Sequence, residues 1–278
     1  MERADIRKQW EGSAPGWAKW EETIANWLAP ATEAMLDMAG VVPGARVLDL
    51  ASGAGSQALD AARRVGTQGH VVASDIAETM LRHVSENARA AQLDNVSTLV
   101  GAAEELDVAP ESFDAVTCRL GLMLFTEPAK ALAAARQALK PGGKLAVVVF
   151  TTPAANSFMA KPMQILLRHA GKQPPAPGKP GIFALGAPGV LARLLTESGF
   201  ENVEQRVIAS GLRMSSAADA FPMMQEAFGA YRAVVSDCSE AVRTAAWAEV
   251  AEMLKGFETA AGFEAPAEVL VAAGVKPD

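Results

Sequence analysis

The sequence predicts an α/β protein built on a mostly parallel sheet with helices on both faces. Three observations carry that expectation. Between residues 46 and 150, short Val-rich runs alternate with longer segments of helical spacing, which is the rhythm of βαβ units. The first run, VLDL at 47–50, leads directly into ASGAGSQA, a glycine turn between a strand and a helix. Asp75 closes the second run, 20 residues past Gly55, where open α/β sheets present groups to a ligand.

Taken in order, residues 1–40 form a helical preface that holds four of the five tryptophans, Trp10, Trp17, Trp20 and Trp27. Trp17 and Trp20 share a face if that helix is continuous. The core, 41–150, is expected to place strands near 46–50, 71–74, 96–100, 115–117 and 145–150, with helices at 57–65, 78–91 and 128–139. In the stretch Lys140-Pro141-Gly142-Gly143-Lys144, Pro and Gly end the last of these helices and turn into a strand. After 150 the rhythm changes. A helix at 158–169 and the connector KQPPAPGKPG mark 151–185 as an insertion. A helix at 187–198, terminated by Gly199, and a strand at 203–209 continue the core through 186–210. A second helical insertion, about 217–261, fills the segment 211–264, and a final strand at 268–273 lies within 265–278. The preface and the two insertions are candidates for a lid over the C-terminal ends of the strands.

Composition excludes several function classes. The 278 residues carry 25 Lys+Arg against 32 Asp+Glu, a net charge of -7, and no basic run exceeds two residues, which argues against a nucleic-acid partner. The charged start lacks the apolar segment of a secretory leader, and no stretch is long and apolar enough for a membrane span, so a cytoplasmic protein is expected. Cys118 and Cys238 are far apart and outside any C-x-x-C spacing, and His70, His83 and His169 are scattered, so no disulfide framework or metal site is expected.

The turn itself admits two ligand classes. GAGSQA fits the dinucleotide pattern G-x-G-x-x-G/A, with Asp75 placed to bind a ribose, which allows an NAD(P)-dependent oxidoreductase. The second class rests on several blocks in order: VLDLASGAG, VVASDIAETML, GAAEEL, FDAVTCRLGL and LKPGGKLAVVVF. From about residue 41 to residue 150 the chain resembles the class I S-adenosylmethionine (SAM)-dependent methyltransferases, and is most similar to their ubiquinone/menaquinone-biosynthesis C-methyltransferase group. The resemblance implies a Rossmann-like fold with a seven-stranded, mostly parallel sheet, SAM as cofactor, and a small-molecule methyl acceptor. It assigns Asp49, Ala51, Ser52, Gly53 and Gly55 to the first motif, Asp75 and the following Ile76 to ribose binding, and Ala102, Ala103 and Glu104 to the adenine loop. The group carries a polar residue where Ala102 stands, which leaves adenine recognition to the backbone around Ala102 and Ala103. That missing side chain is also the one hint of a SAM-binding module without turnover.

Individual residues keep two readings. Asp75 suits a ribose diol because an ionised carboxylate accepts two hydrogen bonds; its alternative is to cap the helix starting near Glu78. Asp49 either bonds loop amides or approaches the ammonium group of SAM. Arg119, at the exit of the fourth strand, either clamps a carboxylate of cofactor or substrate, or pairs with Glu104 or Glu105. His169 on the lid is a weak candidate for a base, as Arg119 is for a catalytic role, and Cys118 reads as a small buried residue. Trp17 and Trp20 resemble the family's cofactor-covering aromatic, or are core; FPMMQ at 221–225 lines an apolar pocket, or is core. The exit CRLG lacks the N/D-P-P-aromatic pattern of base, glutamine or adenine amino methylation, which argues for a small acceptor, and the Ala- and Met-rich cap segments suggest an apolar or aromatic one. The catalytic base, the acceptor atom and a homodimer built on the preface stay open.

Overall fold

The computed structural model describes residues 3–174 and 178–278; of the Pro/Gly-rich connector, Pro175, Ala176 and Pro177 lie outside the described residues. The preface consists of two helices, α1 (Arg3–Lys19) and α2 (Glu21–Met38). The chain then alternates through β1 (Arg46–Leu50), α3 (Ser56–Val65), β2 (His70–Asp75), α4 (Glu78–Ala90), β3 (Val96–Val100), β4 (Phe113–Arg119), α5 (Pro128–Ala138) and β5 (Leu139–Phe150). The Val-rich runs form the central strands because both their faces are covered. Val47, Val71, Val116 and residues Leu145 to Val149 are all fully buried, as continuous apolar strands of parallel sheets are.

The second half is α6 (Ser157–His169), α7 (Val190–Glu197), β6 (Glu201–Ala209), β7 (Leu212–Met214), α8 (Ala217–Ala227), α9 (Gly229–Val234), α10 (Glu240–Leu254), β8 (Glu258–Thr259), β9 (Gly262–Ala265) and β10 (Glu268–Val275). The main sheet has seven strands in the order β3-β2-β1-β4-β5-β10-β6. All pairs from β3 to β5 are parallel, whereas β10 is antiparallel to both β5 and β6. The last strand of the chain is therefore wedged, reversed, between its two neighbours. A dinucleotide-binding sheet runs 3-2-1-4-5-6 without that reversed strand.

Three expectations are corrected. The preface is not one continuous helix: it breaks at Trp20 (φ -102°, ψ 12°), so Trp17 and Trp20 take different directions. The Lys140-Pro141-Gly142-Gly143 stretch is not a free turn but a bulge inside β5, where Gly142 N–H donates to Lys276 O (3.0 Å) and Lys276 N–H to Gly143 O (2.8 Å). The second insertion is not helical throughout. Its tail folds back as β8 and β9, and β9 pairs with β7 to make a separate three-stranded sheet.

The preface and the insertions pack on one another as a cap. The Tyr231 hydroxyl of α9 donates to Met159 O of α6 (2.8 Å), and the Trp20 indole and Lys19 amine both donate to Glu226 at the end of α8. Gly16 of α1 meets that same helix end so closely that a Cβ would lie 2.0 Å from Glu226 O, which only a glycine permits. Deeper in, Trp27 Nε1 of α2 donates to Ser210 O and the Ser210 hydroxyl returns a bond to Trp27 O. Among the described residues, no helix is long and apolar enough to cross a membrane.

Candidate functional site

The site is built where β1 and β2 end side by side. After Leu50 the chain passes through three residues of positive φ, Ala51 (53°), Gly53 (57°) and Gly55 (106°), before α3 begins. Ala51 is the unusual member, since an L-residue in this region costs about 1 kcal/mol or more. Its opposite wall is Gly121, where a Cβ would lie 2.6 Å from Ala51 Cβ and 3.0 Å from Cys118 Sγ. Gly55 is needed for packing, because a Cβ there would meet Val84 of α4 at 2.9 Å. Nothing lies within 4 Å of the space a Cβ on Gly53 would occupy, so this is the point where a ligand can run against the backbone.

Asp75 reaches the same point from β2. Its Oδ2 accepts from Gly53 N–H (3.0 Å) and its Oδ1 from Ala77 N–H (2.9 Å), so the carboxylate braces the turn and the approach to α4 together. Burial pushes its carboxyl up to about 6, against the lowering effect of those amides. Asp75 O also receives Gly101 N–H (3.0 Å), which sets Ala102 and the single 3-10 turn Ala103–Glu105 at the end of β3. Ala103 is buried there, while Ile76, Ala102 and Glu104 are half-exposed around the same rim.

Beneath the turn, Asp49 is fully buried. Its Oδ1 accepts from the Thr117 hydroxyl (2.8 Å), its Oδ2 has no partner, and burial raises its carboxyl to about 6. Ser52 donates its hydroxyl to Asp49 O (3.1 Å), and Gln57 Nε2 donates to Ser52 O (3.1 Å). Arg119 lies alongside. Its guanidinium donates to the hydroxyls of Thr32 on α2 (2.8 Å) and Ser56 on α3 (2.7 Å), and the charges acting on it are those of Asp49, Asp60 and Glu21. The alternative pairing with Glu104 or Glu105 is thus replaced by contacts on the other side of the turn. Burial lowers the guanidinium to about 10, leaving it charged at neutral pH. Burial, helped by the charge of Asp49, raises the Cys118 thiol to about 12, so no thiolate is available beside it.

Helix α1 covers the β2 side. Its Glu11 accepts from Glu78 N–H (2.7 Å) and Thr79 N–H (3.2 Å) and so caps α4 from outside. Trp17 packs against Ala77 and Met80, directly after Asp75, with its indole N–H buried and unpartnered. Trp20 instead faces Glu226, and His169 shares a hydrogen bond with Glu249 (2.8 Å) that joins α6 to α10 within the cap. These two are not brought to the glycine turn. Sequence reasoning missed Glu11, Glu21, Gln57 and Gly121. Gln57 sits inside the motif and was within reach, whereas Glu21, in the first turn of α2, signals only the helix dipole and Glu11 is an ordinary mid-helix acid of α1.

The sulfonium nucleoside SAM has a diol, an amine and a carboxylate to satisfy, and the donor set fits. The buried side-chain atoms left without partners among the described residues are Trp17 Nε1, Glu21 Oε1, Asp49 Oδ2 and Gln57 Oε1; the last three lie in the turn or are bonded to it through Asn87, and Trp17 packs beside α4. Buried polar groups are normally paired, and such a cluster marks a place completed by a ligand.

Comparison with known proteins places the chain in a family. The model of the ubiE/COQ5 methyltransferase family matches residues 28–169. The chain belongs to that family. The ubiquinone/menaquinone biosynthesis C-methyltransferase UbiE of Yersinia enterocolitica is 44% identical over 119 residues, which are 42% of this chain and 47% of the relative. The match thus spans about half the length of the curated relatives, and for this ubiE/COQ5 family member it lies in the sheet and glycine turn, not in α8 to α10. Among solved structures, the Haemonchus contortus phosphoethanolamine N-methyltransferase 2 in complex with S-adenosyl-L-methionine has TM-score 0.54 and 21% identity, covering 90% of this chain and 53% of the other. The [4+2]-cyclase SpnF has TM-score 0.56 and 20% identity, covering 89% and 80%. At those identities the likeness is one of fold, and the same fold carries two different chemistries.

Proposed function

We propose that this member of the ubiE/COQ5 family binds SAM at the β1–α3 turn and transfers its methyl group to a small, apolar or aromatic molecule held between the strand ends and the cap. The observation that carries the reading is the Asp75 carboxylate at the tip of β2, hydrogen-bonded to the open face of Gly53, which suits it to a ribose diol. Asp49 serves the ammonium end of the cofactor and Arg119 the carboxylate end. The backbone around Ala102 and Ala103 takes the adenine, and Trp17 supplies the cover from α1. SAM itself supplies a methyl group already activated on a sulfonium. The chain's task is then to hold an acceptor in line and to keep water out, effects that reach about 7 to 11 kcal/mol without a strong acid-base pair. The Ala- and Met-rich segments of the cap favour an apolar acceptor. The two unbridged cysteines favour a reducing compartment such as the cytoplasm.

Calorimetry with SAM, S-adenosylhomocysteine and NADH tests the cofactor, with binding of the first two and not the third as the expected result. Asp75→Ala is expected to lower SAM affinity at least 100-fold, since two hydrogen bonds to a charged acceptor are lost. Undiminished affinity overturns the assignment. A panel of phenols, quinones and amines, followed by mass spectrometry for a gain of one methylene, tests the acceptor class. Turnover of peptides or nucleic acids alone refutes the small-molecule reading, and tight binding with no transfer to any acceptor favours a module without turnover.

A further inference from the structure

We infer that Glu21, in the first turn of α2, closes the cofactor site around the α-ammonium group of the bound nucleoside, with Glu21 Oε1, Asp49 Oδ2 and Gln57 Oε1 as its three acceptors. The inference rests on the SAM reading above and adds to it two residues, Glu21 and Gln57, that lie outside the motif acid and the ribose-binding acid. Three acceptors without partners converge on one turn, and an ammonium presents three N–H donors. A carboxylate would leave all three of them unmet, and an uncharged primary amide, with two donors, at least one.

The placement of Glu21 is specific. Its Oε2 accepts from Asn87 of α4, and Asn87 also donates to Ala54 O in the glycine turn (3.2 Å). The charge of Arg119, whose Nη2 donates to the Ser56 hydroxyl (2.7 Å), acts on Glu21 and Asp49 alike. Glu21 is therefore tied through Asn87 to Ala54 in the turn, and shares Arg119 with Asp49 as a neighbouring charge. An acid that merely complements the dipole of α2 has no reason to bond another helix and leave its second oxygen buried without a partner. The other charged groups acting on Glu21 are Arg119 from β4, which lowers its carboxyl, and Asp60 from α3, which raises it; α4 contributes the neutral Asn87. Burial dominates and raises the carboxyl to about 7. An arriving ammonium favours the ionised form, so binding near neutral pH expels a proton.

The test uses the full chain and two ligands. S-adenosylhomocysteine keeps the ammonium and cannot donate methyl; methylthioadenosine keeps the nucleoside and lacks the aminoacyl end. Titrations at pH 6.5 in two buffers of different ionisation enthalpy report the protons released. Wild type is expected to release more protons with S-adenosylhomocysteine than with methylthioadenosine, whose ribose engages Asp75 alone of the raised carboxyls. Glu21→Gln is expected to weaken that ligand about 10- to 100-fold, to reduce the release, and to leave methylthioadenosine unchanged. Glu21→Asp, which keeps the charge, is expected to restore most of the release, and far-UV circular dichroism verifies that each variant is folded. Equal weakening of both ligands, or unchanged affinity and proton release in Glu21→Gln, overturns the inference. Failure of wild type to bind either ligand instead overturns the SAM reading beneath it.

Discussion

Replacing Asp49 by Asn separates stability from ligand binding. The side chain is fully buried, with one oxygen on Thr117 and the other unpartnered, and burial lifts its carboxyl from 3.8 to about 6. The sign follows from linkage. Between those values the folded chain holds a proton that the unfolded chain has released, so stability falls as pH rises from about 4 through 6. At pH 7 the difference amounts to about 3 kcal/mol. Asn removes the ionisable group but also removes a countercharge from Arg119, so the net gain for the ligand-free protein is expected to be about 1 to 3 kcal/mol. For a chain of this size that is a rise in Tm of about 2 to 5 °C. Urea melts at pH 5 and pH 7 measure it: wild type is more stable at pH 5, and the gap narrows in Asp49→Asn without vanishing, because Asp75, at about 6, and Glu21, at about 7, titrate in the same direction. The same variant is expected to bind SAM at least 10-fold more weakly. An Asp49→Asn protein that is less stable than wild type at pH 7 without ligand, or that keeps the full pH 5 to 7 difference, refutes the reasoning.

Two other perturbations have distinct readouts. Gly121→Ala puts a Cβ 2.6 Å from that of Ala51, so the turn must shift; an expected loss of about 1 to 3 kcal/mol in denaturant melts should come with weaker nucleoside binding. With Cys118 buried and its thiol raised to about 12, a disulfide reagent should label the native protein only at the half-buried Cys238 and label both cysteines in urea; fast native labelling of Cys118 would contradict the packing.

What was legible follows from range. The strands β1, β2, β4 and β5 were visible because strands covered on both faces leave continuous apolar runs, and the Gly53, Gly55 and Asp75 set was visible because turn and carboxylate lie at fixed spacing within one βαβ unit. Features set by tertiary contact were not. The break at Trp20 has no Gly or Pro to announce it, while Pro15 and Pro30 lie inside helices. β7 pairs with β9 across an intervening helical insertion and β8 is only two residues long, so their local sequence gave only a weak alternation. From sequence, Arg119 keeps both a carboxylate clamp and a pair with Glu104 or Glu105 open, because only the packed α2 and α3 supply Thr32 and Ser56. Glu21 acquires its meaning solely from Asn87 and the turn it touches.

The reversed insertion of β10 has a consequence for how the molecule assembles. β6 has no neighbour in the main sheet other than β10, and the two are separated by everything from β7 to β9. During vectorial synthesis, β6 leaves the ribosome with an unsatisfied ladder and waits for the last strand to arrive, while β5 keeps an open flank beside it. Such long-range closure is slow and exposes sticky borders. The nascent chain should therefore be most prone to aggregation after α7 has formed and before β10 slots between its two waiting partners.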